Sequence, residues 1–262
     1  MAKVRINAID INYEIYGKGE PLVLLTGITG SIDHYWVALL PHIKHKYQVL
    51  VLDNRGMGKT EAIDGEYSIA MMAEDTMKLI RHCGLQTPSI LGHSMGSCIA
   101  MEMARSYPEE LDKLILVNPL AQLIPRSIIL FESTLELLKV CPFPEKVMWS
   151  LVPWLFSEKH LSNEKLLEDL RKFISKRKIS LESFIRQFNA LNSFDATQWI
   201  KEIALKTLVI GSKEDLVTPL KLAKEISEQI KNSQLVILEG AHASNVEKAP
   251  EIAKEIGRFL NR

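Results

Sequence analysis

Residues 89–107 read SILGHSMGSCIAMEMARSY, and Pro108 follows. The stretch divides into three parts. Ser89, Ile90 and Leu91 form a short apolar run. Gly92-His93-Ser94-Met95-Gly96 is a G-x-S-x-G turn. Met95 to Tyr107 carries the composition of a helix that the proline stops. A serine between a strand end and a helix start is held exposed on a sharp bend, which a weak hydroxyl nucleophile requires. Gly92 and Gly96 keep Cβ atoms out of the bend. Ala100, one turn on, lets the helix lie close to the strands, and the helix N-terminus favours negative charge beside Ser94. The pentapeptide alone is a weak signal, and the strand before it and the helix after it make it specific.

The same grammar extends in both directions. Short apolar runs recur at 21–25 (PLVLL), 48–52 (QVLVL), 113–117 (KLILV), 207–210 (TLVI) and 234–238 (QLVIL). Such runs suit parallel strands covered on both faces. Between them lie helical stretches: 69–83, with Ser68 as N-cap and Gly84 past its end; 219–230, opening at Pro219; and about 250–261, also opening at a proline. Val4 to Tyr16 alternates apolar and polar residues, as a half-exposed antiparallel hairpin does. The expected fold is α/β: a mostly parallel twisted sheet with helices on both faces.

One region interrupts the alternation. From about Leu120 to Glu202 there is no strand pattern, only helical ones (SIILFESTLELLKV, EKLLEDLRKFISK, LESFIRQFNALN) with prolines at 125, 142, 144 and 153. The reading is a core of residues 1–119 and 203–262 with a helical cap, 120–202, inserted between two strands. Loops at the carboxyl ends of parallel strands are where open α/β sheets bind ligands.

Composition narrows the function classes. The chain has 262 residues, with Lys+Arg and Asp+Glu both at 32. No positive excess is available for nucleic acid or an anionic membrane. The basic run 172–180 reads as a solvated helix face. Cys83, Cys98 and Cys141 match no zinc or redox spacing and read as small apolar buried residues. No apolar stretch reaches the length of a membrane span, and the N-terminus lacks a signal-peptide pattern, so a cytoplasmic location is expected. Neither G-x-G-x-x-G nor a Lys-Ser/Thr phosphate loop is spelled out, so a nucleotide site is not expected.

Residue for residue, PLVLLTGITGSIDHYW, VLDNRGMGKT, ILGHSMGS, LVIGSKEDLVTP and GAHASNVEKAP resemble the motifs of the α/β-hydrolase family, in its order and over most of the chain. The resemblance implies a catalytic order of serine, acid, histidine. His242, in the loop after QLVILEG, takes the place of the base. Asp215 fits the pattern Gly211, Asp215, Pro219 as the acid, with Glu214 as the alternative. The backbone N–H groups of Ile28 and Met95 are expected to form the oxyanion hole. Thr26 stands where many relatives have histidine, and its hydroxyl is a candidate brace for that loop. Asp53 and Arg55 read as loop bracing rather than chemistry. The substrate pocket is expected to include Thr26, Gly27, His93, Phe131, Trp149 and Trp154, together with Phe143, Leu155 and Phe156.

The implied activity is serine hydrolysis of a small, largely apolar carboxylic ester or lactone, without metal or organic cofactor. HASNVEKAP and the D-x-R-G-x-G loop are similar to 3-oxoadipate enol-lactonases and small esterases. Three alternatives share the motifs: a meta-cleavage-type C–C hydrolase, for which Arg126 would supply the cation that holds a carboxylate; a cofactor-free perhydrolase; and a ligand-binding receptor that uses the pocket without turnover. A homo-oligomer is compatible with the sequence.

Overall fold

The computed structural model describes residues 2–142, 144–175 and 180–261. Strands β1 (Ala2–Ile6), β2 (Ile9–Tyr16), β3 (Glu20–Leu25), β4 (Tyr47–Leu52), β5 (Ser89–His93), β6 (Lys113–Val117), β7 (Lys206–Ser212) and β8 (Ser233–Leu238) make one sheet, ordered β1-β2-β4-β3-β5-β6-β7-β8. The hairpin β1–β2 is antiparallel and joins β4 antiparallel. All pairings from β4 to β8 are parallel.

The helices are α1 (Leu40–Ile43), α2 (Ile69–His82), α3 (Met95–Ser106), α4 (Pro125–Val140), α5 (Pro144–Ser150), α6 (Val152–Leu155), α7 (Glu158–Leu161), α8 (Glu164–Ser175), α9 (Leu181–Asn192), α10 (Leu220–Gln229), α11 (Ser244–Glu247) and α12 (Ala249–Leu260). Ser68 caps α2 by accepting the Met71 N–H at 3.1 Å, and Gly84 takes the positive φ that ends it. Pro219 is the residue before α10 rather than its first helical residue.

Successive side chains of a strand face opposite sides, and the central strands use both. Val23, Leu25, Leu50, Ile90, Leu114 and Val209 join the core beneath α2, α3 and α10. Leu22, Leu24, Val49, Leu91, Ile115 and Ile210 join the opposite core, beneath α1 and α12. Strand β8 departs from the expectation of two covered faces. It lies at the sheet edge, and its Leu235 and Ile237 are exposed at 36% and 40%. The cysteines depart too: Cys98 is buried, whereas Cys83 and Cys141 are partly exposed.

Helices α4 to α9 occupy the connection between β6 and β7. The chain enters and leaves this layer at one place, where Gln122 and Asp195 form an isolated antiparallel bridge and the Ala196 N–H donates to the Ala121 carbonyl at 2.8 Å. Phe143 lies outside the described residues, as do positions 176–179 of the basic run. Among the described residues no helix is long and apolar enough to cross a membrane.

Candidate active site

Ser94 sits between β5 and α3 with φ 55° and ψ −125°. A non-glycine residue held there costs on the order of 1–3 kcal/mol, so the surroundings must enforce it. They do so by close packing. A Cβ at Gly92 would run into the Gly96 carbonyl, and one at Gly96 into the Leu25 carbonyl. The Ser94 N–H donates to Val117 O at 3.1 Å, and the Ser97 N–H and hydroxyl both donate to Ser94 O, at 2.8 and 2.6 Å.

Two other strand ends deliver His242 and Asp215. His242 Nε2 lies 3.0 Å from Ser94 Oγ, and His242 Nδ1 lies 2.8 Å from Asp215 Oδ2. All three residues are buried. The carboxylate fixes the imidazole proton on Nδ1, which leaves Nε2 to accept from the serine hydroxyl. Asp215 is itself held: its Oδ1 accepts the N–H groups of Val217 and Thr218 at 2.8 and 2.7 Å, and its Oδ2 lies 2.8 Å from the Thr218 hydroxyl. Glu214 points elsewhere, accepting the Glu158 N–H at 3.2 Å.

His93 does not face the serine as a second base. Its Nε2–H donates to the His242 carbonyl at 2.8 Å, and its Nδ1 accepts from the Tyr35 hydroxyl at 2.5 Å. Burial, reinforced by the neighbouring His242, pushes its pKa down to about 3. Asn118 Nδ2 donates to the same His242 carbonyl at 2.9 Å. Two donors thus clamp the backbone of the histidine loop. Asn118, Thr218 and Tyr35 carry no motif signal. The mark closest to one is the Asn-Pro pair at 118–119, directly after a strand, where Asn118 takes φ 46°.

The loop after β3 contains a turn closed by the Gly30 N–H donating to Gly27 O at 3.1 Å. Within it the Ile28 N–H has no acceptor among the described residues. Met95 is the first residue of α3, where an N–H has no intrahelical acceptor. Thr26 Oγ1 accepts from Asn54 Nδ2 at 3.2 Å, which ties this loop to the loop after β4. In that second loop Asp53 accepts the Ile32 and Lys59 N–H groups at 2.7 and 2.9 Å, and Arg55 makes a buried two-pronged pair with Asp75 at 2.8 and 2.9 Å. Both residues have the geometry of braces.

Above Ser94 opens a cavity of about 560 Å³. Its wall includes Ile28, Tyr35, His93, Phe131, Trp154, Leu155, Phe156, Phe173, Phe184 and Val217. Three expected wall residues are absent from it. Thr26 and Gly27 are not among its lining residues, Thr26 being bonded to Asn54. Trp149 packs away from the cavity, with the Arg171 guanidinium 4.3 Å from its ring. No Lys or Arg lines the cavity among the described residues. Arg126 sits instead in a separate groove with Ile129 and Leu137. Among the described residues no cluster of His, Cys, Asp or Glu is arranged to hold a metal ion.

A sheet of this order with a strained serine on the β5–α3 turn defines the α/β-hydrolase architecture. Residues 20–139 match the family described as "alpha/beta hydrolase fold", and the chain has that fold. It superposes on an α/β-hydrolase enzyme from a Medee basin deep-sea metagenome library with a TM-score of 0.90, at 25% identity, covering 100% of this chain and 98% of that one. The enol-lactonase of Burkholderia xenovorans LB400 shares the fold at a TM-score of 0.87 and 20% identity, each chain covered in full. A protein of Agrobacterium fabrum named "Putative carbamate hydrolase RutD" is 26% identical over 262 residues, covering 95% of this chain and 98% of its own.

Proposed function

We propose that the chain is a serine hydrolase that cleaves neutral carboxylic esters with an apolar acyl group. The observation that carries this reading is the continuous path from Asp215 through His242 to Ser94, with separations of 2.8 and 3.0 Å, at the floor of an apolar cavity. In the proposed reaction His242 Nε2 takes the Ser94 proton as Oγ attacks the acyl carbon. The oxyanion is held by the amides of Ile28 and Met95, aimed donors that cost no reorganisation. His242 returns the proton to the leaving alcohol, and water then cleaves the acyl-serine by the same route. Residues 120–202 act as the cap that shapes the acyl pocket.

The absence of Lys and Arg from the described cavity wall favours a neutral ester over substrates that carry a carboxylate. It weighs against meta-cleavage chemistry and against a lactone diacid. Carbamates form a second reading, favoured by the near full-length similarity to the RutD protein. They present the same acyl carbon to the same serine.

The test is hydrolysis of p-nitrophenyl acetate, butyrate and octanoate by wild type and Ser94→Ala. Turnover by wild type, lost in the variant, supports the reading, and a p-nitrophenyl N-alkylcarbamate in the same assay separates ester from carbamate preference. Wild-type protein that neither turns over these compounds nor is labelled by a phosphonate serine probe removes the reading and leaves a binding pocket.

A further inference from the structure

The catalytic cavity has a neighbour. A groove of about 590 Å³ follows α4, where Arg126, Ile129, Ser133 and Leu137 line it. These residues stand three or four apart in sequence, which puts them on one face of the helix. Leu130, Leu151 and Trp154 line both the groove and the cavity, so they form the wall between the two spaces. Leu130 is buried in the core beneath α4. Trp154 is the largest side chain of the three. It stands on α6, a helix of four residues, and packs against the core as partly buried apolar bulk.

The position of this wall is tied to the reacting atoms. The Ala243 N–H donates to Leu155 O at 2.7 Å. Leu155 follows Trp154 in the chain, and Ala243 follows His242, whose Nε2 lies 3.0 Å from Ser94 Oγ. Wall and base are thus each one residue away from the same hydrogen bond. A pocket whose far wall is fixed relative to its nucleophile measures the length of what enters. Each methylene buried short of the wall adds binding free energy, and a chain that reaches the indole gains nothing more by growing.

We propose that Trp154 is a specificity-determining residue that ends the acyl pocket, and that the groove behind it is room the wild-type protein closes to substrate. The inference rests on the reading of Ser94 as the nucleophile and of the cap as the acyl side. Removing the indole joins the two spaces. A long acyl chain then passes between α4 and α6 into the groove, where it covers Ile129 and Leu137, which are otherwise 62% and 46% exposed.

The test is kcat/KM for p-nitrophenyl esters from acetate to dodecanoate, each kept below the concentration at which it aggregates. In wild type the value rises by up to about fourfold per added methylene, the equivalent of ~0.8 kcal/mol, and then levels off. In Trp154→Ala the rise continues to longer chains, and the ratio of dodecanoate to butyrate exceeds the wild-type ratio by about tenfold or more. Ser133→Trp places bulk in the groove and outside the cavity. Alone it leaves the wild-type profile unchanged, and added to Trp154→Ala it cancels the gain for dodecanoate. Where Trp154→Ala accumulates poorly, Trp154→Leu keeps apolar packing and shows the same shift at smaller size. A Trp154→Ala profile displaced equally at every chain length overturns the proposal. So does a gain that survives Ser133→Trp, or one that follows the alcohol in alkyl acetates of rising length instead of the acyl chain. Any of these beside wild-type turnover removes this inference alone. Wild-type protein with neither turnover nor phosphonylation removes the hydrolase reading with it.

Discussion

At the scale of single residues, the two buried imidazoles beside Ser94 are held in different ways. Asp215 accepts the proton of His242 Nδ1. In Asp215→Asn the amide would donate there instead and move the imidazole proton to Nε2, where it blocks acceptance from Ser94. We expect kcat to fall by roughly 10⁴ with little change in fold, measured by ester turnover alongside circular dichroism. His93 is buried as the neutral ring, its pKa depressed to about 3, while an unfolded chain would protonate it near ~6.5. The stability it contributes is present above the unfolded value and is lost as pH falls from there toward 3, at up to about 1.4 kcal/mol per pH unit. The Tm of His93→Gln should therefore decline less steeply than that of wild type between pH 6.5 and pH 4, and parallel curves would refute the assignment. The serine, histidine and acid were legible because each stands in a local pattern at a strand end. Asn118 and Tyr35 were not, because their roles come from partners far off in the chain, and a lone buried Asn has no periodic signature.

At the scale of elements, apolar runs and proline or glycine stops located β3 to β8, since a strand covered on both faces must be apolar throughout, and alternation located the hairpin β1–β2. The same logic misjudged β8, whose LVIL run matches the central strands although the edge position leaves Leu235 and Ile237 in contact with solvent. Helical layers are harder to read. Trp149 lies on α5 and was expected in the cavity, but apolar composition alone does not say which side of a thin layer a residue faces. The loop after β4 is bound to α2 by the Arg55–Asp75 pair, both side chains 4% exposed. Asp75 also accepts from Asn7 at 2.8 Å, which brings the N-terminal hairpin into the same joint. Removing one member of a buried pair strands the other charge, at about 3–5 kcal/mol. Asp75→Ala should thus lower Tm by roughly 10 °C or more yet keep kcat near wild type at low temperature, as read by thermal melts and assays at 15 °C. A kcat collapse without a fall in Tm would move this loop from bracing into chemistry.

At the scale of the whole molecule, the layers meet at the cavity, and its electrostatics set what can enter. Formal charge is balanced over the chain, so selectivity comes from local placement. Among the described residues, the groups around the cavity that can carry charge near neutral pH are His34, His93, His160, His242 and Asp169. Burial depresses His93 and His160 and discourages either from carrying positive charge. Asp169 brings the one carboxylate among these groups. An acyl chain ending in a carboxylate would lose its hydration on entry without gaining a cationic partner among the described residues, an expensive transfer, and Asp169 would add repulsion. A neutral chain of equal length gives up only apolar hydration, which favours burial. Comparing p-nitrophenyl esters of valeric acid and of glutaric acid (one ester, one free carboxylate) at pH 7 isolates that difference. The neutral ester should have the higher kcat/KM by at least tenfold, and the gap should narrow at pH 4.5 as the free carboxyl begins to protonate. A preference for the glutarate ester would require a cation that the described wall does not contain, and would turn the substrate assignment toward diacid lactones.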